Sequence, residues 1–233
     1  MRLALLGDIH ANAHALKVVL DSARKDSVDI LLITGDLIGY YFDPSLVLEL
    51  LKPWNKYVVR GNHEDMLCRS RGDPAYLNKV SSRYGSGIKE AIKQLSAEDL
   101  DLLCNLPHPL SFVLGGRKIL LCHGSPNELN HYIYPDTDLH ESELMRMSDF
   151  DLVVSGHTHY PMLRCVNKNT LFVNPGSVGQ PRNHKPGAYW ALYDTVAGEV
   201  SFRCDNYDYS VLQAEALCRH PELPYLANVL GRT

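Results

Sequence analysis

Short apolar runs that each end in glycine and polar side chains recur along this chain of 233 residues. Runs of this length that are apolar throughout are typical of strands buried on both faces of a sheet. In open α/β sheets, ligands bind beyond the carboxyl ends of such strands. The segments that follow the runs are 7–10, 34–36, 61–64, 122–124 and 155–159. The pattern therefore predicts that five strand ends deliver polar side chains to one edge.

The polar side chains at these strand ends are nitrogen and oxygen donors suited to metal ions. They are Asp8, His10, Asp36, Asn62, His63, His123, His157 and His159. Two carboxylates, an amide and several imidazoles can fill two coordination shells, and one carboxylate must bridge if the ions are ~3.5–4 Å apart. Such mixed ligation suits Mn, Fe, Zn, Ni or Co. The absence of thiolate from the set argues against a structural zinc site.

The order of predicted elements indicates an α/β architecture. The opening of the chain reads β-α-β-α-β, with strands over 2–7, 29–34 and 56–60 and helices over 12–24 and 45–51. Such units imply parallel pairing with right-handed crossovers.

Hairpins and a largely helical stretch follow this opening. The predicted elements are a helical stretch over 62–105, a hairpin of 110–114 and 117–122, a helix over 138–147, strands over 151–155, 162–166, 170–173, 188–193 and 199–204, and a helix over 209–219. Parallel units followed by hairpins predict an α/β fold of two packed mixed sheets with helices outside. We expect one domain over 1–233, and the order of the strands is left open.

Composition narrows the classes of function. The net charge of -4 argues against a nucleic-acid binder with a broad basic surface. No apolar run approaches the length of a membrane span. The six cysteines are scattered without a C-x-x-C pair, which predicts reduced thiols and a cytoplasmic protein.

The motifs at the five strand ends together resemble those of the calcineurin-like metallophosphoesterases. They are Gly7-Asp8-Ile9-His10, Gly35-Asp36, Gly61-Asn62-His63-Glu64, His123-Gly124 and Gly156-His157-Thr158-His159. All five occur in order, and as a set they are highly specific. Two further segments, 123–126 and 174–182, are similar to the bacterial single-domain branch of that superfamily. The resemblance extends to about residue 194 and implies a four-layer αββα sandwich.

The resemblance also implies a role for each motif residue. One divalent ion (Mn, Fe, Zn or Ni) would be held by Asp8, His10, Asp36 and His159, and a second by Asp36, Asn62, His123 and His157. Asp36 would bridge the two ions, and a hydroxide shared by them would attack phosphorus. His63 would be catalytic beside Asp36, because an imidazole can protonate or stabilise the leaving oxygen near neutral pH.

The substrate implied by the resemblance is a small phosphomonoester or phosphodiester. Arg60 and Arg182 are candidate phosphate contacts, because guanidinium groups bind phosphate bidentately. Segment 35–40 lacks the second aspartate and the arginine of the protein Ser/Thr phosphatase branch, which argues against protein substrates and removes a partner that would orient His63. Specificity is expected to lie in 66–110 and 125–140.

Three other functions remain open at this point. The main alternative is a dinucleoside polyphosphate hydrolase, because the bacterial branch contains such enzymes. A non-catalytic binding or scaffold protein of the same superfamily is a second, although such proteins lose ligand histidines and this chain keeps every expected one. A nuclease is a third, but it would need a basic groove or a capping domain.

Overall fold

The computed structural model describes residues 1–232 and contains two five-stranded β-sheets flanked by helices. The strands are β1 (Arg2–Leu6), β2 (Ile30–Ile33), β3 (Lys56–Val58), β4 (Leu110–Leu114), β5 (Arg117–Leu121), β6 (Leu152–Val154), β7 (Pro161–Cys165), β8 (Leu171–Pro175), β9 (Ala188–Asp194) and β10 (Glu199–Asp205). The helices are α1 (Ala13–Lys25), α2 (Pro44–Leu51), α3 (Asn62–Ser70), α4 (Pro74–Tyr84), α5 (Gly87–Gln94), α6 (Ala97–Cys104), α7 (Glu141–Met147), α8 (Ser210–Arg219) and α9 (Tyr225–Asn228). Thr233, the last residue of the predicted domain, lies outside the described residues.

Both sheets are mixed, and each contains three parallel strands. The first sheet has the order β10-β9-β1-β2-β3, in which β1, β2 and β3 are parallel, β9 pairs antiparallel with β1, and β10 pairs antiparallel with β9. The second has the order β4-β5-β6-β8-β7, with β5, β6 and β8 parallel between antiparallel edges. The predicted β-α-β-α-β opening and the hairpin of β4 and β5 are therefore confirmed.

Alternation along β1 shows how the layers are built. Leu3 and Leu5 pack into the core between the two sheets, whereas Ala4 and Leu6 pack against the helices outside the first sheet. Successive side chains of a strand point to opposite faces, so an apolar run contributes side chains to two cores. This is the physical reason that residues 3–6 of β1 are all apolar.

Helices cover the outer face of each sheet. Side chains of α1 to α6 pack on the first sheet, and Met147 of α7 packs with Phe172 of β8 on the second. The predicted four-layer αββα sandwich is confirmed. Within residues 1–232, no helix is both long enough and apolar enough to cross a bilayer.

The structure refines the predicted order of elements at three places. The helical stretch predicted over 62–105 is confirmed and consists of four helices, separated at 71–73, 85–86 and 95–96. Helix α7 begins at Glu141 rather than residue 138, because His140 is its N-cap and Glu143 closes the capping box. Helix α9 was not predicted, since four residues are too few to display a helical period.

One cysteine pair contradicts the prediction that all six thiols are reduced. Cys68 of α3 and Cys104 of α6 form a disulfide with Cα atoms 5.5 Å apart. The two helices pack side by side, which a separation of 36 residues in sequence does not reveal. Cys122, Cys165, Cys204 and Cys218 are free. The cytoplasmic location inferred from reduced thiols stays a prediction.

Candidate metal centre

Five of the candidate ligands have left-handed backbone conformations. The φ angles are 54° at Asp8, 52° at His10, 53° at Asp36, 68° at His157 and 63° at His159. Non-glycine residues seldom adopt this region, which costs of order 1–3 kcal/mol each, and such strain clusters at functional sites. Hydrogen bonds between the loops hold it in place: the His10 amide donates to Asp36 O (2.9 Å), and the His157 amide donates to Asp8 Oδ2 (3.1 Å).

Two histidine nitrogens face each other with no donor between them. His10 Nδ1 donates to Ile38 O (3.2 Å), and His159 Nδ1 donates to Gln180 O (2.6 Å). In the neutral rings, both Nε2 atoms therefore carry lone pairs, and they lie 3.2 Å apart. Burial lowers the pKa of both imidazoles well below 6.5, so neither is protonated near neutral pH. A cation satisfies this arrangement, and Asp8 Oδ1 lies 3.4 Å from His159 Nε2.

A second set of donor atoms lies beside the first. His123 Nδ1 donates to Thr34 O (2.8 Å), which leaves Nε2 of the neutral ring as an acceptor. His123 Nε2 lies 3.0 Å from His157 Nδ1 and 2.8 Å from Asn62 Oδ1. Burial lowers the pKa of His123 well below 6.5 and that of His157 to about 4. Neutral imidazoles of this kind are good metal ligands.

Asp36 reaches both sets with one oxygen. Its Oδ2 lies 3.5 Å from His123 Nε2, 3.7 Å from His10 Nε2 and 4.0 Å from His63 Nε2. Its Oδ1 accepts a hydrogen bond from the His63 amide (2.8 Å). Burial raises the pKa of Asp36 well above 3.8, and the neighbouring Glu64 carboxylate adds to the shift. A single carboxylate is thus shared between two clusters of imidazoles.

The electrostatics of the site favour bound cations. Burial also raises the pKa of Asp8, from 3.8 to about 8, even though Arg182 acts in the opposite direction. Buried carboxylates are costly to ionise unless a positive charge is close by. Donor atoms lie within 4.8 Å of one another in each of three sets: Asp8, His10 and His159; His10, Asp36 and His63; Asp36, His123 and His157. The donor types and the burial fit divalent metal ions.

The sequence of this chain matches one superfamily over most of its length. Residues 1–198 match the family described as the calcineurin-like phosphoesterase superfamily domain. The chain belongs to this superfamily. It is a metal-dependent phosphoesterase.

Relatives of this phosphoesterase include archaeal and bacterial proteins. Protein MJ0912 of Methanocaldococcus jannaschii is 29% identical over 223 residues, which is 88% of each chain. The structure of a metallophosphoesterase from Sphaerobacter thermophilus superposes with a TM-score of 0.76 at 28% identity, covering 100% of this chain and 98% of that one. Protein PH1004 of Pyrococcus horikoshii OT3 gives a TM-score of 0.86 at 23% identity over 100% and 99% of the two chains, a likeness of fold.

Glu64 holds two loops of the phosphoesterase site by accepting hydrogen bonds from their backbone amides. Its Oε2 accepts hydrogen bonds from the amides of Asp36 (2.9 Å) and Gly61 (2.8 Å), and its Oε1 accepts one from Leu37 (2.8 Å). The side chain is fully buried. Sequence reasoning treated Glu64 only as part of a motif. The available signal was that a buried carboxylate needs hydrogen-bond donors, and the backbone amides of the neighbouring loops supply them.

The segment predicted from the bacterial branch, 174–182, braces the Asp8 loop. Ser177 Oγ donates to Asp8 O (2.7 Å), and the Gly179 amide donates to the same oxygen (3.0 Å). The Val178 amide donates to Gly7 O (3.0 Å). These bonds fix the strained turn that aims the Asp8 carboxylate.

His63 is oriented by packing. Its ring centroid lies 4.7 Å from that of Tyr40 and 5.7 Å from that of Tyr84. Among residues 1–232, His63 Nδ1 has no hydrogen-bond partner. Gly39, with φ at 90°, leaves space for the ring, because a side chain there would collide with it. Burial lowers the pKa of His63 to about 3.

The two candidate arginines have different surroundings. Arg182 lines the metal pocket, where its Nη2 lies 3.3 Å from Tyr40 Oη. The Arg60 guanidinium instead donates to Cys104 O (3.4 Å), and it is not among the described residues that line the pocket. The structure therefore brings Arg182, but not Arg60, to the site.

Aromatic side chains complete the rim, and sequence reasoning missed them. Tyr40, Tyr84 and Tyr132 line the pocket together with several candidate ligands. Tyr132 packs on the candidate ligand His157, with ring centroids 3.9 Å apart. Tyr132 falls in the predicted specificity segment 125–140, and Tyr84 falls in 66–110. Nothing in the local sequence distinguishes these rings from core tyrosines.

Proposed function

We propose that this chain is a dinuclear-metal phosphoesterase that hydrolyses small phosphomonoesters or phosphodiesters. The position of Asp36 Oδ2, close to imidazoles of both donor sets, is the observation that supports two ions. One ion would be held by Asp8, His10, Asp36 and His159, and the other by Asp36, Asn62, His123 and His157. Divalent Mn, Fe, Zn or Ni bound there would lower the pKa of water and neutralise charge on the phosphoryl oxygens.

Arg182 would position the phosphoryl group. It lines the pocket that holds the ligands, and its guanidinium can make two parallel hydrogen bonds to phosphoryl oxygens. Tyr40 Oη and Gln180 Oε1, each 3.3 Å from Arg182 Nη2, hold the guanidinium in place. The fixed fork would orient the ester for displacement at phosphorus.

His63 would act on the leaving oxygen. The water oxygen bonds to phosphorus as the P–O bond to the leaving group breaks, and the leaving oxygen takes up a proton. His63 stands beside Asp36 with Nε2 directed to the site. Burial lowers the pKa of His63 to about 3, and the negative charge of a bound ester would act in the opposite direction, toward the protonated ring that can donate to the leaving oxygen.

Metal content and turnover measured on the same sample test this proposal. Elemental analysis is expected to give about two divalent ions per chain after Mn²⁺ addition, as two-metal hydrolases require. The loaded protein is expected to hydrolyse p-nitrophenyl phosphate or its bis ester, and the ratio of the two rates ranks monoester against diester activity. Absence of both metal and turnover under every divalent ion would contradict the proposal and favour a binding protein.

A further inference from the structure

A second cavity lies next to the metal pocket and shares Arg182 with it. Its volume is about 550 Å³, within the range of small-molecule sites. One wall is Gln180 and Arg182, and the other is formed by the C-terminal segment, including Pro224, Tyr225 and Val229. The C-terminal wall lies beyond residue 198, where the superfamily match ends.

The path from the metal centre to this cavity begins at His63. Its ring packs on Tyr40 at 4.7 Å, and Tyr40 contacts Tyr225 edge to face at 6.5 Å. Tyr40 Oη also lies 3.3 Å from Arg182 Nη2. A leaving group whose oxygen faces His63 would therefore extend over Tyr40 into the cavity.

The walls of the cavity favour an aromatic group attached to an anion. Tyr225 is 40% exposed, and its hydroxyl donates to Arg83 O (2.8 Å), which fixes the orientation of the ring. Among the described residues no carboxylate lines the cavity, whereas Arg182 and Arg232 do. The walls therefore offer a surface for stacking and positive charge.

We propose that the cavity binds the leaving group of the substrate and that this group is a nucleoside. The base would stack on Tyr225, and the phosphoryl group would reach the metal centre beside Arg182. Any of the bases can stack on an aromatic side chain, and such stacking gives about a tenfold gain in affinity. This inference rests on the proposed function, because it places the phosphoryl group at the metal ligands.

Binding of 5′-AMP compared with inorganic phosphate isolates the contribution of the nucleoside. AMP is supplied as its phosphonate isostere, in which CH₂ replaces the ester oxygen, so that the loaded protein cannot hydrolyse it. Calorimetry on the Mn²⁺-loaded protein is expected to show this form of AMP binding about tenfold more tightly than phosphate. Val229→Trp fills the cavity and Tyr225→Ala removes the ring, and each is expected to bring the ratio close to one. Tyr225→Phe keeps the ring and is expected to keep the ratio.

The matched control is Val196→Trp, which places the same bulk on a residue that is 82% exposed in the turn after β9, away from the cavity. It is expected to keep the wild-type ratio. Equal affinities for AMP and phosphate in the wild type, or a tenfold ratio that survives both Val229→Trp and Tyr225→Ala, would overturn the proposal.

Hydrolysis of p-nitrophenyl phosphate by the same samples separates this inference from the proposed function. Turnover together with an AMP-to-phosphate ratio near one rejects the cavity and keeps the enzyme. A tenfold ratio that depends on Tyr225, found without turnover of any ester, keeps the nucleoside site and rejects the hydrolase.

Discussion

Glu64 Oε2 accepts a hydrogen bond from the backbone amide of Asp36 at 2.9 Å. Glu64→Gln replaces one carboxylate oxygen with an amide NH₂, and both oxygens now accept from loop amides, so a buried donor faces at least one other donor. We expect a loss of ~1–3 kcal/mol in the free energy of unfolding for the unsatisfied group, together with lower metal content. Urea unfolding and elemental analysis measure both. Glu49→Gln, on an exposed position of α2, is the control, and an equal effect there would contradict the positioning role.

Asp36→Asn tests the shared carboxylate. The amide removes the negative charge that lies near both imidazole sets, so we expect metal content to fall and hydrolysis of p-nitrophenyl phosphate to be abolished. Elemental analysis and initial rates are the measurements. A variant that keeps two ions and the wild-type rate would show that Asp36 does not bridge.

His63→Ala separates catalysis from metal binding. His63 lies beside Asp36 but is not among the residues proposed to bind the ions. The variant is therefore expected to keep its metal, and its kcat is expected to fall by about 10²–10⁴-fold. The loss is expected to grow as the pKa of the leaving alcohol rises, since poor leaving groups need the proton most. A fall in metal content of this variant would instead make His63 a ligand.

Gly39→Ala tests whether packing orients His63. The new Cβ would collide with the imidazole, and the backbone has φ at 90°. We expect a cost of ~1–3 kcal/mol in stability and a lower kcat with metal retained. Gly72→Ala, where a Cβ meets nothing within 4 Å, is the matched control and is expected to leave kcat unchanged.

The pH dependence of the free energy of unfolding of the chelator-treated protein follows from pKa shifts in opposite directions. Burial lowers the pKa of His157 to about 4 and of His63 to about 3, so the unfolded chain binds more protons and stability falls as the pH drops from 6.5 toward 4. Burial raises the pKa of Asp8 to about 8, so the folded state keeps a proton that the unfolded chain has lost, and stability falls as the pH rises toward 8.

Several imidazoles outweigh the carboxylates in the acid range, so the free energy of unfolding is expected to peak near pH 6.5. Urea unfolding at pH 5, 6.5 and 8 measures this profile. Saturating Mn²⁺ is expected to remove the decline above pH 6.5, because the ion keeps Asp8 charged in the folded state. A free energy of unfolding that stays constant from pH 5 to pH 8 without metal would contradict these pKa shifts.

The parts of the fold that depend on local pattern were predictable from sequence. The run before Asp8 and the run before Asp36 are apolar because both faces of a central strand are buried, and glycine marks the turn that follows each. Parallel strands then bring their carboxyl ends to a common edge. The hairpin around Gly115 followed from the same reasoning about alternation and turns.

The remaining features depend on tertiary contacts that no local pattern encodes. The Cys68–Cys104 pair arises from the packing of two helices, and the packing of Tyr132 on His157 arises from a loop folding back on the site. Arg60 fits a motif, yet its guanidinium is drawn to the carbonyl of Cys104. Motif membership predicts which side chains are present, whereas the direction of a long side chain is decided by its neighbours.

Because the backbone is left-handed at Asp8, His10, Asp36, His157 and His159, metal binding is coupled to the free energy of unfolding of the whole chain. These turns are unfavourable on their own, and they connect strands of both sheets. Ions that bind only the folded arrangement offset this cost by mass action. Metal limitation would therefore reduce the amount of folded protein as well as its activity. The supply of the ion would in this way set the lifetime of the folded chain.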